Sequence, residues 1–336
     1  MLQGHGDDGY LHNKAIEADF STNVYHGGAP AGLKAYLFER WEKVMRYPEV
    51  IAESLAEKIA AQYNLSNDHI LVTNGSTESI YLIAQAYKHK KSAIVIPAFA
   101  EYEDACRMHG HQLRFVLWED FPAGIADAEL VFICNPNNPT GQIIPDIGKV
   151  IANNPTTLFI VDEAFIEFTL AITSVAGLVV EYENLIVLRS MTKAYAIPGL
   201  RLGYIIAPPS GIRLLKSEKL PWTVNAMALE AGHFIFDRLD RLTLPLNQIF
   251  KDKADLISAL EAAPLKIHSS HTHFFVAETL VQNAALLKKY LLQNFNILIR
   301  DAGNFRGLSE NHIRIATLSP VKNQMLINAF SEWKHL

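Results

Sequence analysis

At 336 residues, with 49% hydrophobic and 19% charged side chains, the chain has enough apolar matter for one large domain and a smaller one. A formal charge of −5 with scattered lysine and arginine argues against a nucleic-acid partner, and two cysteines, Cys106 and Cys134, are too few for a disulfide scaffold. The N-terminal MLQGHGDDGYLHNK has no apolar signal core, and no apolar run approaches the roughly 18 residues of a membrane span, so a soluble, cytoplasmic protein with no membrane partner is expected.

Taken in chain order, β-rich apolar runs predict strands at 69–73, 92–96, 112–116, 130–134, 157–161, 185–188 and 202–207. Helical periodicity falls between several of them, at 51–63, 78–87, 102–109 and 146–152. Apolar strands separated by helices predict an α/β fold, with a mostly parallel sheet and helices on both faces. Gly and Pro cluster after strand ends, at Asn74-Gly75, Pro97 and Asn135-Pro136, where such sheets hold ligand loops. From about residue 236 the pattern changes to a long helical stretch (236–262), a strand-like run (265–277) and a helix (280–294). Short strands at 297–300 and 313–316 and a final helix follow. The division predicted is an N-terminal arm over 1–35, a large domain over 36–235 and a smaller α+β domain over 236–336.

Two local patterns invite a different chemistry. Gly4-His5-Gly6-Asp7-Asp8-Gly9 spells GxGxxG, yet only three residues precede it, where a dinucleotide-binding turn needs a strand. His268, His271 and His273 have a metal-like spacing, but no cysteine or carboxylate adjoins them. If 265–277 is one strand, 271 and 273 share a face and 268 takes the other. We read the first as no dinucleotide site and the second as structural or surface histidines.

Four separated segments make chemical sense together. Val72-Thr73-Asn74-Gly75-Ser76-Thr77-Glu78 runs from a strand through a glycine turn into a helix, whose start offers amides and hydroxyls to a phosphate. A plainly capped helix reads the same way. Asn135-Pro136-Asn137-Asn138-Pro139-Thr140-Gly141 sets amide side chains at a sheet end, or is turn chemistry alone. Asp162 ends the apolar strand of LFIVDEAFIEF, and a buried carboxylate needs a cation or a hydrogen-bond donor. In RSMTKAYAIPGLRLGY, Lys193 follows Ser190 and Thr192 and precedes a turn that leads to Arg201. A lysine amine forms an imine with an aldehyde when desolvated, and an arginine with two hydroxyls suits a phosphate. Pyridoxal phosphate carries the aldehyde, the ring nitrogen and the phosphate that these groups would meet.

The set NGSTESI, NPNNPTG, VDEAF and SMTKAYAIPGLRLGY, in this order, resembles the aminotransferase-like family of pyridoxal-phosphate enzymes over nearly the whole chain. The resemblance implies an aspartate-aminotransferase-like large domain with a smaller one, and a homodimer. It assigns Lys193 to the cofactor's aldehyde and to proton transfer, and Asp162 to the ring nitrogen. Asn138 would bind the ring hydroxyl and Phe99 stack on the ring, while Gly75, Ser76, Thr77, Ser190, Thr192 and Arg201 hold the phosphate. Tyr47, in Arg46-Tyr47-Pro48, resembles the tyrosine that reaches the neighbouring subunit's phosphate. Phe165 stands where many members carry a tyrosine whose hydroxyl tunes the ring oxygen.

The bond held perpendicular to the cofactor plane is the one that breaks, so the groups holding the substrate choose the reaction. Arg300 and Arg314 both lie in apolar, strand-like sequence. Each is either half of a structural salt bridge or part of a clamp for a dianion. Within the family, PAFAEYEDA, DEAFIEF, IRDAGNFRGL, RSMTKAYAIPGLRLGY and the N-terminal His5-Gly6 followed by Asp19-Phe20-Ser21-Thr22-Asn23 are most similar to the threonine-phosphate decarboxylases of cobalamin biosynthesis. That likeness implies a phosphorylated amino-acid substrate held by Arg300, Arg314 and His5, with Asn138 beside it, and loss of its carboxylate as carbon dioxide. After His5-Gly6 this chain has Asp7-Asp8 in place of the usual glycine and asparagine. Histidinol-phosphate aminotransferases, which also set two arginines on a substrate phosphate, are the next resemblance. A non-catalytic cofactor-binding regulator would need an added nucleic-acid-binding domain, for which 336 residues leave no room.

Overall fold

A computed structural model describes residue 6, residues 8–12 and residues 14–333. The N-terminal segment passes through β1 (Ala18–Asp19), α1 (Leu33–Glu39) and α2 (Glu53–Gln62). The large sheet begins with β2 (Ile70–Thr73), α3 (Ser76–Ala86), β3 (Lys91–Ile96), α4 (Glu101–Met108) and β4 (Gln112–Leu117). It continues through β5 (Leu130–Cys134), α5 (Ile147–Asn153), β6 (Leu158–Asp162), β7 (Leu185–Ser190) and β8 (Gly203–Ile206). Helices α6 (Pro209–Glu218), α7 (Ala226–Phe236) and α8 (Leu246–Leu260) lead to β9 (Leu265–Ile267) and β10 (Phe274–Thr279). The chain closes with α9 (Ala284–Phe295), β11 (Ile297–Leu298), β12 (Arg300–Asp301), β13 (His312–Ala316) and α10 (Pro320–Trp333).

Among the described residues the large sheet has the strand order β2-β8-β7-β6-β5-β3-β4. Neighbours pair in parallel from β7 to β4, and β8 runs antiparallel to both β7 and β2. Runs apolar on both faces form these strands because helical layers cover both sides. Along β5, Val131 and Ile133 join one core while Leu130, Phe132 and Cys134 join the other. The register aligns Cys134 with Asp162 and Asp162 with Leu188, and sets Gly203 between Ser190 and Thr73. The carboxyl ends of β5, β6, β7 and β2 therefore open on one rim, where β8 starts, and such rims carry ligand sites. This is the α/β architecture expected from the sequence.

A second sheet, antiparallel throughout, has the order β12-β13-β10-β9. Phe275, Ile313 and Ile315 on one face pack with Leu256, Leu287 and Phe330 of the helices into a third core. Ahead of this, β1 pairs in parallel with β11, which ties the N-terminal segment to the C-terminal part of the chain.

Two predicted elements differ from those observed. The stretch 236–262 is not one helix: α7 ends at Phe236 and α8 starts at Leu246, just after Pro245. The run 265–277 is a hairpin, with β9 ending at Ile267 and β10 starting at Phe274. The three histidines thus lie in or beside its loop, and strand alternation does not set their faces. Helices α1, α6 and α7 are additional to the predicted ones. Both cysteines are buried free thiols, and among the described residues no helix is long and apolar enough to cross a membrane. Gly9 begins a short 3-10 turn, with no strand before it among the described residues.

Candidate active site

The rim of the large sheet and the small sheet enclose a cavity of about 240 Å³. From the large domain it is lined by Ser76, Thr77, Phe99, Asn138, Asp162, Ser190, Thr192, Lys193 and Arg201. From the small sheet and its following loop come Arg300, Arg314, Asn304 and Phe305. Gly75 stands behind this lining against Arg201. Tyr47 is not among the lining residues: it is exposed and tilts against Trp222 with ring centroids 5.3 Å apart. His5 lies outside the described residues, but Gly6 beside it lines the cavity.

One end of the cavity is built for an anion. Ser76 and Thr77 open α3, so the free amides of that helix start there. Ser190 Oγ and Thr192 Oγ1, where β7 ends, lie 2.8 Å apart. Arg201 adopts a left-handed backbone (φ 61°), and its Nη1 donates to Pro198 O at 2.9 Å. Such a conformation costs a non-glycine residue energy, and it aims this guanidinium at the start of α3. A Cβ at Gly75 (φ 81°) would stand 2.5 Å from Arg201 Nη2, and one at Gly203 would stand 2.7 Å from the Ser76 amide nitrogen. Glycine at both positions is what lets β8, α3 and Arg201 close around one point.

The floor is a buried carboxylate. Tyr102 donates its hydroxyl to Asp162 Oδ2 at 2.6 Å, and the Ala164 amide donates to Oδ1 at 2.9 Å. Burial pushes the Asp162 carboxyl above its ordinary value, against the pull of Tyr102, Ala164 and the charge of Lys193. Burial and the Asp162 charge raise the Tyr102 phenol well above its usual range, so it stays a donor. Phe99 meets Tyr102 edge-on at 6.1 Å. Phe165 packs edge-on against Phe274 at 5.0 Å and brings no hydroxyl to the cavity.

The far wall carries the two arginines, which are directly opposite across β12 and β13. Arg314 Nη2 donates to Ser21 O at 2.6 Å and its Nη1 to Asn138 Oδ1 at 2.5 Å. Asn23 Nδ2 donates to the same Asn138 oxygen at 3.4 Å, which leaves the Asn138 amide nitrogen to donate elsewhere. Arg300 Nη2 donates to Asn304 Oδ1 at 2.7 Å, and its guanidinium lies 5.1 Å from the Phe305 ring. Among the described residues Arg314 forms no ion pair, since its hydrogen-bond partners are neutral. Burial first, then the charge of Arg300, push its guanidinium down to about 9, with Asp19 opposing. Two buried guanidiniums side by side are stabilised by an anion between them.

Sequence reasoning missed Tyr102, Asn23, Ser21 and Asn304. All four lie in segments that carry the family likeness, Ser21 and Asn23 in Asp19-Phe20-Ser21-Thr22-Asn23, Tyr102 in PAFAEYEDA and Asn304 in IRDAGNFRGL, but nothing in those segments singled out their roles.

The chain belongs to the aminotransferase class I and II family, which matches residues 16–330. It is 31% identical to a threonine-phosphate decarboxylase of Salmonella typhimurium, over 93% of this chain and 89% of that one. To a histidinol-phosphate aminotransferase of Thermoanaerobacter it is 33% identical, over 85% of this chain and 84% of the relative. The crystal structure of L-threonine-O-3-phosphate decarboxylase from Porphyromonas gingivalis matches with a TM-score of 0.92 and 38% identity, covering 95% of this chain and 100% of that one.

Proposed function

We propose that the protein is a pyridoxal-phosphate-dependent decarboxylase that converts L-threonine O-3-phosphate to (R)-1-aminopropan-2-yl phosphate in cobalamin biosynthesis. The observation that carries this reading is the pairing of Arg300 with Arg314 on the wall of the cavity that also holds Lys193 and Asp162. The threonine-phosphate decarboxylases among the relatives point the same way.

The donor set fits the cofactor. Ser76, Thr77, Ser190, Thr192, Arg201 and the amides beyond Gly75 would hold its phosphate, Asp162 its ring nitrogen, Asn138 its ring hydroxyl and Phe99 one face of its ring. Bound there, pyridoxal phosphate supplies the covalent link to the substrate amine and the sink for the electron pair released at its α-carbon. Asp162, whose carboxyl burial pushes up, would be held as the anion beside a cationic ring nitrogen and would keep that nitrogen protonated. Arg300 and Arg314 grip the substrate phosphate bidentately and so fix the rotation of the substrate. Held in this way, the carboxylate leaves as carbon dioxide, and Lys193 Nζ delivers a proton to the α-carbon. His5, next to Gly6 at the cavity, completes the phosphate grip in this proposal.

The same proposal divides the chain into an arm (1–35), a large domain (36–235) and a small one (236–336), in keeping with the separate sheets and cores. It makes the protein a cytoplasmic homodimer, with Tyr47 reaching the partner's cofactor phosphate. Exposed Phe38, Trp41, Met45 and Trp222 in the same region support such an interface.

A second reading, histidinol-phosphate aminotransferase, has the support of the 33% identity to that enzyme. Carbon dioxide release from L-threonine O-3-phosphate and from L-threonine tests the arginine clamp directly. The phosphate ester should react with kcat/KM higher by about a hundredfold or more, as befits roughly 3 kcal/mol from buried charge pairing. Equal rates for the two amino acids, or none for either, would overturn the proposal.

A further inference from the structure

The three histidines near residue 270 separate in the fold, and one of them gains new neighbours. His273 is buried and stacks on Phe168 at 3.8 Å, while His271 is exposed and gives its backbone amide to Gly141 O. His268, just past β9, sits beside Glu278 of β10 and His312 at the start of β13. The register places Glu278 directly across from both His312 and Lys266, two residues before His268. One ligand-capable atom from each of His268, Glu278 and His312 lies within 4.8 Å of the other two. His268 Nε2 is buried and has no hydrogen-bond partner, a state that calls for an explanation in a folded protein. His312 Nδ1 accepts from the Ser309 amide at 3.1 Å and lies 2.8 Å from Ser309 Oγ, which can accept from Nδ1 in the other tautomer and leave the Nε2 lone pair free.

We propose that His268, Glu278 and His312 form a binding site for a divalent transition-metal cation, with zinc the best match. Two imidazoles and one carboxylate are a borderline donor set that suits zinc, and one coordination position is left for water. Magnesium and calcium take oxygen ligands and fit poorly. Zinc bonds of about 2.0–2.2 Å require the three atoms to draw in by roughly an ångström, a side-chain adjustment on half-buried residues. Lys266 Nζ, 3.8 Å from Glu278 Oε2, would swing away, which its 65% exposure permits. Coordination at His312 Nε2 requires the ring proton on Nδ1, where it is donated to Ser309 Oγ, and the Ser309 amide then gives up its bond to that nitrogen. The ion would tie edge strand β9 through β10 to β13, which also carries Arg314. It is a clip on the small sheet and has no part in the chemistry at Lys193.

The test is calorimetric titration of zinc chloride into untagged, chelator-treated full-length protein in phosphate-free buffer, with magnesium chloride beside it. One zinc per chain should bind in the micromolar range, the melting temperature should rise with zinc concentration, and magnesium should do neither. His268→Ala, His312→Ala and Glu278→Gln should each weaken zinc binding at least tenfold, while His271→Ala leaves it unchanged. Melting in chelator identifies the variants that fold as the parent does, and those decide. Zinc binding that survives these substitutions, or none up to millimolar zinc, overturns the assignment.

Discussion

Buried beside Arg300 and hydrogen-bonded to neutral acceptors, the Arg314 guanidinium is pushed below its ordinary value, a cost that an anion between the two arginines relieves. The cationic form is the one that binds a phosphate dianion. kcat/KM should therefore rise as the substrate phosphate loses its second proton near about pH 6. Arg314→Lys keeps a charge but loses the bidentate fork, and should lower kcat/KM by roughly 30-fold or more, about 2 kcal/mol. A pH–rate series on both proteins checks this, and a kcat/KM that does not rise across about pH 6, or is equal in the two proteins, contradicts it. Lys193 is tested by Lys193→Ala, which should form no borohydride-reducible link to the cofactor and show less than about a thousandth of the activity. Retention of that link in the variant would remove Lys193 from the site.

At the scale of elements, β10 and the loop before it set a second pH dependence. His273 is buried, with Nε2 3.2 Å from Asn23 O, and burial holds its pKa well below the ordinary 6.5. Arg314, Lys253 and His26 push it the same way, while the contact with Asn23 O opposes them. The unfolded chain thus binds the extra proton first, so stability present above about pH 6.5 is lost as pH falls below it. His26, His111 and His233, each lowered chiefly by burial, add to the same trend. Urea unfolding between about pH 5 and 7.5 should show the loss, and His273→Phe should flatten its slope. The strands of the large sheet were legible because LVFIC and LFIVD are apolar on both faces, and Asp162 was legible as the charge that ends one of them. The hairpin was not, since HSSHTHFF keeps a strand-like alternation through a loop. Nor was the facing of Arg300 and Arg314, which depends on the β12–β13 register. Tyr102 stayed hidden because a tyrosine on an apolar helix face reads equally well as packing.

On the scale of the whole molecule, the cavity lies between two sheets and is complete, in this account, only with a second chain. Tyr47 is 85% exposed, and Trp41 and Met45 near it are 57% and 72% exposed, an unusual cost for a monomer. Sedimentation should give a dimer that Trp41→Glu weakens, whereas Tyr47→Phe keeps the dimer and loosens the cofactor. A monomer with full activity would contradict the shared site. The dimer and the reach of Tyr47 came from the family resemblance, and the fold adds the exposure of Tyr47, Trp41 and Met45, which a sequence pattern does not set. The central claim is the choice of bond, and one incubation tests it: holoenzyme with L-threonine O-3-phosphate, and separately with histidinol phosphate plus 2-oxoglutarate. The account predicts stoichiometric carbon dioxide and 1-aminopropan-2-yl phosphate from the first and little glutamate from the second. Brisk glutamate formation from histidinol phosphate, with no carbon dioxide from threonine phosphate, would contradict it.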